Sequence, residues 1–227
     1  MSILIKNVEL NGNIVDVLTE GSLIRKIDST IDFTADVTID GTHKAILPSF
    51  INAHTHSSMT HFRGFGDDMP LMEWLENNIW PNELRLTEDL VYHGARLACL
   101  EMIRSGITFF NDMYWYPRGV ARAVKDLGMR AEVNAVFIDM GDPQKAMEQQ
   151  VLNRELVEEL KNDELIHVGL GPHAVYTVSE SSLQWIREFS EAHDLMVHIH
   201  LSETEQEVND CRLEHGVSPV EYLHRIG

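Results

Sequence analysis

The chain has 227 residues, 44% of them hydrophobic, enough to bury one large core or two small ones. Its 18 Lys+Arg stand against 36 Asp+Glu, a formal charge of -18, which argues against nucleic-acid backbones and anionic membrane surfaces as partners. Two cysteines, Cys99 and Cys211, without a C-x-x-C spacing, indicate neither a disulfide framework nor a thiolate metal site. The first residues lack a long apolar segment, and no stretch approaches the roughly 20 apolar residues of a membrane span, so a cytoplasmic globular protein is expected.

Residues 1–44 alternate short β-type runs with turns. Runs at 3–5, 14–18, 23–27 and 37–40 are separated by Asn11-Gly12-Asn13, Glu20-Gly21-Ser22 and Asp40-Gly41. Such punctuation signals hairpins, and a small antiparallel sheet is expected, marginal by itself, with a boundary near Lys44.

From Ala45 onward, through 45–227, apolar runs alternate with longer helical patterns. Strands are expected over 45–54, 107–113, 130–138, 166–171 and 196–201. Thr87 caps a helix with Leu90, Val91, Leu97, Ala98 and Met102 at 3.6 periodicity, ending at Ser105-Gly106. Pro117 opens the next, stopped by Gly128; Asp142-Pro143 starts another. Ser179 caps the helix of Leu183, Ile186 and Phe189, and a last helix spans 205–215 before Gly216. About five strand–helix units give an α/β fold. A doubly wound sheet would carry a Gly-rich phosphate loop, and no G-x-G-x-x-G occurs, so a (β/α)8 barrel is the better fit. A full barrel takes roughly 250 residues and eight units. The chain is therefore expected to be the first part of one, incompetent and poorly stable without the rest.

In a barrel, chemistry gathers at the C-terminal ends of strands. The first strand ends in His54 and His56, whose i, i+2 spacing puts both imidazoles on one face. The second runs into Asn111-Asp112, the fourth into Gly171-Pro172-His173, and the fifth reads Val197-His198-Ile199-His200-Leu201-Ser202-Glu203. His200 is the best third ligand. His198 shares its face one layer deeper and suits a packed core histidine as well as a ligand. Three histidines with an open position describe a catalytic metal site, and Glu203 beside it could move a proton; a solvated helix-start residue is the alternative. Asp67 and Asp68 read as loop residues, and Trp74 and Trp80 as packing aromatics.

With these residues in place, the sequence resembles the amidohydrolase superfamily, and within it the 5-methylthioadenosine/S-adenosylhomocysteine deaminases. The resemblance is carried by Asn52-Ala53-His54-Thr55-His56, Met59-Thr60, Phe62-Arg63-Gly64, and the block from Asp67 to Leu75. Ile79-Trp80-Pro81-Asn82-Glu83, Asn111-Asp112-Met113-Tyr114, Gly171-Pro172-His173-Ala174 and His198-Ile199-His200-Leu201-Ser202-Glu203 complete it. It implies a distorted (β/α)8 barrel beside a small β-sandwich, with 1–44 as the first part of the sandwich and 45–227 as the first part of the barrel. It implies one divalent metal ion, most often zinc (Zn2+), on His54, His56 and His200. Glu203 would protonate the purine ring nitrogen, Glu83 would accept from ribose hydroxyls, and His173 would contact the nucleoside. The reaction implied is hydrolytic attack of metal-activated hydroxide at C6 of adenine with loss of ammonia. Substrates would be 5'-methylthioadenosine, S-adenosylhomocysteine, adenosine or 5'-deoxyadenosine. The partner implied is thus a small purine nucleoside; a homo-oligomer is left open.

Two departures stand out. Family members run to roughly twice this length, with a further His and a metal-binding Asp in the missing part. The family also often places an arginine in the third strand for an amino-acid carboxylate, and Ala131 to Phe137 contains none. The rival readings are a guanine deaminase, a triazine-type chlorohydrolase, or an inactive fragment acting as a binding partner.

Overall fold

A computed structural model describes residues 1–227 and divides into two compact units, Met1–Ser49 and Phe50–Gly227. In the first, β1 (Ser2–Leu10), β2 (Asn13–Glu20), β3 (Leu23–Asp28) and β4 (Val37–Asp40) form one sheet in the order β3-β2-β1-β4. Asn11 and Gly12 both take positive φ, 51 and 80°, the requirement of the tight turn whose twist matches a hairpin. The sheet departs from the antiparallel expectation at one edge, because β4 pairs with β1 in parallel. The connection before β4 crosses the sheet and buries Ile31 against Leu4 and Leu18. Asp16 fastens it: its buried carboxylate accepts the backbone N–H groups of Asn7 and Ile31, each at 2.9 Å.

The strand expected over 45–54 is divided. Ala45 bridges Glu9 of β1, and Ile46 donates to the Glu9 carbonyl, so this stretch completes the first unit. The strand that carries the histidines, β5, is only Phe50–Thr55.

In the second unit β5, β6 (Ile107–Tyr114), β7 (Arg130–Phe137) and β8 (Ile166–Pro172) pair in parallel in sequence order. Between β5 and β6 lie a 3-10 turn (Ser57–Phe62), α1 (Leu71–Trp74), a π-helical turn (Leu75–Ile79), α2 (Trp80–Glu83) and α3 (Glu88–Arg104). Helices α4 (Pro117–Leu127), α5 (Pro143–Leu160) and α6 (Glu180–His193) follow the next three strands, and α7 (Glu205–His215) and α8 (Pro219–Ile226) end the unit. Thr87, Asp142, Ser179 and Thr204 each cap a helix with a side-chain oxygen. A doubly wound sheet reverses its strand order at a switch point; this one does not, and a uniform β5-to-β8 progression is that of a barrel wall, here partial.

The expected fifth strand is not built as one. Residues 196–201 run beside β8, with Leu170 N–H bonded to Met196 O, His198 N–H to Leu170 O and His200 N–H to His173 O, but only Val197 forms a bridge. The core lies outside the sheet, where Val91, Ala95, Val120 and Val124 from α3 and α4 meet Phe110, Ala131 and Val133. A second cluster packs Leu183, Ile186 and Phe189 of α6 on Phe137 and Leu170 and reaches Cys211 and Tyr222. No helix is long and apolar enough to cross a membrane.

Candidate active site

His54, at the end of β5, and His56, just beyond it, meet His200 from the segment that follows α6. One ring nitrogen of each lies within 4.8 Å of the others. The neighbours of each ring orient it. His56 Nδ1 is 2.6 Å from the Met113 carbonyl and His200 Nδ1 is 3.0 Å from the His173 carbonyl. A carbonyl only accepts, so Nδ1 carries the hydrogen in both rings and Nε2 keeps its lone pair. His54 Nδ1 lies 2.6 Å from His198 Nε2. His198 lies outside the cluster of three, half-buried and hydrogen-bonded to one of its members, in keeping with the hydrogen-bonded alternative to a ligand role.

Desolvation favours the neutral form of two of the three rings. It pulls the His54 pKa down to about 4, helped by the neighbouring imidazoles, and lowers that of His200 for the same reason. Three imidazoles on one point are a donor set for a divalent transition metal, zinc foremost, and three protein ligands leave a coordination position open. The backbone behind His56 is anchored as well. Asp112, two residues from the end of β6, is buried, and its carboxylate accepts the Ser57 N–H at 2.6 Å. Burial pushes its pKa up to about 6.

A cavity of about 300 Å³ opens over the cluster. Glu83, His173 and Glu203 line it together with the three histidines. His173 Nδ1 is 3.0 Å from Thr177 Oγ1, and burial lowers its pKa to about 4, so it too presents a neutral ring. Glu83 Oε2 accepts the Trp115 indole N–H at 3.1 Å. Burial, then the Glu83 charge, drives the pKa of the adjacent Tyr114 phenol upward. Met59, Trp74 and Trp80 complete an apolar wall, so these aromatics face the cavity rather than only packing. Asp67, Asp68 and Met69 border a separate cavity of about 410 Å³.

Trp115 and Glu207 are contributors that sequence reasoning missed as participants, and Asn111, read with Asp112 on the second strand, acts through His198. Asn111 Nδ2 is 3.2 Å from His198 Nδ1, and Asn134 donates to Asn111 Oδ1 at 2.7 Å. Glu207 accepts from the backbone of Ser202 and Glu203. The only signal for Glu207 was its place three residues after Thr204, the spacing of a helix cap.

The Amidohydrolase family pattern matches residues 45–227. A 5'-deoxyadenosine deaminase of Methanothermobacter thermautotrophicus is 47% identical over 214 residues, 93% of this chain and 50% of that protein. A 5-methylthioadenosine/S-adenosylhomocysteine deaminase of Archaeoglobus fulgidus is 44% identical over 234 residues, covering 99% and 54%. This chain therefore spans about half the length of the curated relatives it matches. Among solved structures, an adenosine deaminase from Xanthomonas campestris with bound zinc superposes with a TM-score of 0.89 at 32% identity, over 100% of this chain and 54% of the other. A triazine hydrolase of Arthrobacter aurescens superposes at 0.85 with 19% identity, over 100% and 58%, a likeness of fold. With the family pattern running from Ala45, five residues before the histidine strand, to the last residue, the chain belongs to the amidohydrolase family.

Proposed function

We propose that the complete gene product is a metal-dependent hydrolytic deaminase of adenosine-type nucleosides, converting 5'-deoxyadenosine, 5'-methylthioadenosine or their kin to the inosine analogue and ammonia. The observation that carries this reading is the convergence of His54, His56 and His200 beneath a cavity that Glu83, His173 and Glu203 also line. The names borne by the relatives, and the zinc in the Xanthomonas structure, support the substrate class and the metal. The domain reading belongs with it: residues 1–44 as part of a β-sandwich, 45–227 as part of the barrel.

His54, His56 and His200 would hold one zinc ion. When bound, such an ion makes water nucleophilic near neutral pH and so supplies the hydrolytic oxygen. The remaining steps fall to side chains. Glu203 moves a proton to the ring nitrogen of the adenine beside the carbon under attack, and afterwards toward the leaving amine. Glu83 engages the ribose hydroxyls: Oε2 is held by Trp115, and a carboxylate oxygen keeps further acceptor capacity, so both hydroxyls can be met. His173, its Nδ1 turned to Thr177, directs Nε2 at the nucleoside. Met59, Trp74 and Trp80 give the base an apolar wall that excludes water.

The test is zinc content and turnover of His200→Ala in the complete gene product against the unaltered protein. Loss of stoichiometric zinc and of deamination, with the fold retained, is expected. Tight stoichiometric zinc in the variant would remove the ligand assignment.

A further inference from the structure

Helix α7 starts with Thr204 as its cap and Glu207 three residues on, the spacing of a capping box. Helix α8 has the same spacing in Ser218 and Glu221, and there the box closes, with Glu221 Oε2 accepting the Ser218 N–H at 3.1 Å. In α7 only half of it forms. Thr204 Oγ1 accepts the Glu207 N–H at 3.1 Å, but the Glu207 carboxylate reaches past the cap. Its Oε1 takes the Ser202 N–H at 2.9 Å and its Oε2 the Glu203 N–H at 2.7 Å.

That reach is costly in itself. Glu207 is 5% exposed, and a carboxylate so buried is tolerable only with charge-assisted partners. A solvated capping glutamate would serve the helix with less desolvation. The two amides it holds belong to the turn that leaves the His200 segment. Ser202 sits there at φ 56°, a left-handed conformation that a residue with a Cβ adopts only when its surroundings enforce it. With the turn held, the side chain of Glu203 lines the cavity over the three imidazoles.

We infer that Glu207 is the positioning residue for Glu203: by clamping both amides of the turn it fixes where the Glu203 carboxyl stands in the cavity. The inference rests on Glu203 as the proton carrier of the proposed reaction. A proton-transfer group must come within hydrogen-bond reach of its target, and a displacement of about 1 Å costs on the order of a hundredfold in rate. Gln at this position keeps the length of the side chain and can accept one amide, but turns its own NH2 toward the other.

The experiment uses the complete gene product loaded with zinc, with variants Glu207→Gln, Glu207→Ala, Glu203→Gln and, as a helix-cap control, Glu221→Ala. Zinc stoichiometry, thermal midpoint, kcat and KM for 5'-deoxyadenosine are read for each. For Glu207→Ala, kcat is expected to fall about ten- to a hundredfold, with KM and zinc within about twofold of the parent. Glu207→Gln should fall between the two, and Glu221→Ala should lower the thermal midpoint at unchanged kcat. Failure of fold, zinc and KM together in both Glu207 variants would make the residue merely structural and overturn the inference. An inactive Glu203→Gln beside a Glu207→Ala with parental kcat would overturn the inference alone. A fully active Glu203→Gln would remove the proton-carrier reading and this inference with it.

Discussion

His198 Nε2 meets His54 Nδ1 at 2.6 Å, and His198 Nδ1 in turn lies 3.2 Å from the Asn111 side-chain amide. Asn134 steadies that amide from below, donating to Asn111 Oδ1 at 2.7 Å and to the Asp112 carbonyl at 2.8 Å. The ring of His54 is thus held from within the sheet by a second imidazole, whereas His56 and His200 each face a carbonyl group. Partners of this kind orient a metal-binding imidazole, and their loss typically weakens metal affinity about 10- to 100-fold. His198→Phe should keep the ring volume and loosen zinc by that factor, read by competition against a chelator of known affinity. Parental zinc affinity in the variant would show that the 2.6 Å contact is packing without consequence.

The indole of Trp115 bears on substrate rather than metal. Its N–H is bonded to Glu83 Oε2, which restricts the carboxylate expected to meet the ribose. Trp115→Phe keeps the aromatic body and removes the donor. KM for 5'-deoxyadenosine should rise several-fold, in line with about 1 kcal/mol for a hydrogen bond, while kcat changes less. The check is a steady-state comparison that also includes a 2'-deoxynucleoside, on which the variant and parent should converge. An equal effect on both nucleosides would separate Trp115 from the ribose.

How much of this was legible in the chain depends on whether the signal was local. His54, His56 and His200 could be read because strand side chains alternate and the histidines fall where apolar runs end. Thr87, Asp142 and Ser179 marked helix starts because a cap is a contact within one turn, and Pro117 marked one because its fixed φ suits the first helical position. Helix α8 carries the same kind of local sign in Ser218-Pro219-Val220-Glu221, where Ser218 and Glu221 close a capping box. The parallel pairing of β4 with β1 had no such sign, since it depends on where the crossing segment with Ile31 packs. Neither had α1, the π-helical turn and α2, which lack side-chain caps and form a run of short helical pieces along the cavity wall. Glu207 shows the limit most plainly: the spacing marks a cap, but which amides its carboxylate finds is decided by the turn at Ser202.

Charge in the cavity sets an expectation for substrate choice. No arginine or lysine lines it. Arg63 is paired with Glu101, Arg118 with Glu155 and Glu159, and Arg154 lies over the rings of Trp185 and Phe189, while Arg85 is exposed outside the cavity lining and is the arginine left to approach from a loop. Met59 reaches the cavity and could face a thioether tail, whereas Met69 borders the neighbouring cavity. A missing charge-assisted hydrogen bond to the carboxylate of S-adenosylhomocysteine costs roughly 1.5–3 kcal/mol, or about ten- to a hundredfold in kcat/KM. The complete protein should therefore favour 5'-methylthioadenosine by that ratio. A preference of about tenfold the other way would place a cation on the carboxylate.

Asp16 contributes to the acid response of the first unit. The Ile31 N–H, more than burial opposes it, holds the Asp16 carboxyl below the usual carboxylate range, and the Asn7 N–H adds to this. A folded pKa below the unfolded one means stability that is present above the unfolded value, near 3.8, and lost as pH falls through the folded one. Asp16→Asn should destabilise this unit by about 1–3 kcal/mol at neutral pH, with the difference from the parent vanishing in strong acid. Urea unfolding of both proteins at pH 7 and in strong acid checks the sign. A gap that persists in strong acid would show that the ionised carboxylate is not its source.

The most direct test is ammonia release by the zinc-loaded complete gene product from 5'-deoxyadenosine and 5'-methylthioadenosine, run beside guanine and a chlorotriazine. Stoichiometric ammonia with the inosine analogue from the two adenosine derivatives, and no reaction of the other two compounds, is the expected result. Turnover of guanine or the triazine with neither adenosine derivative consumed would contradict the assignment of this cavity to adenosine-type nucleosides.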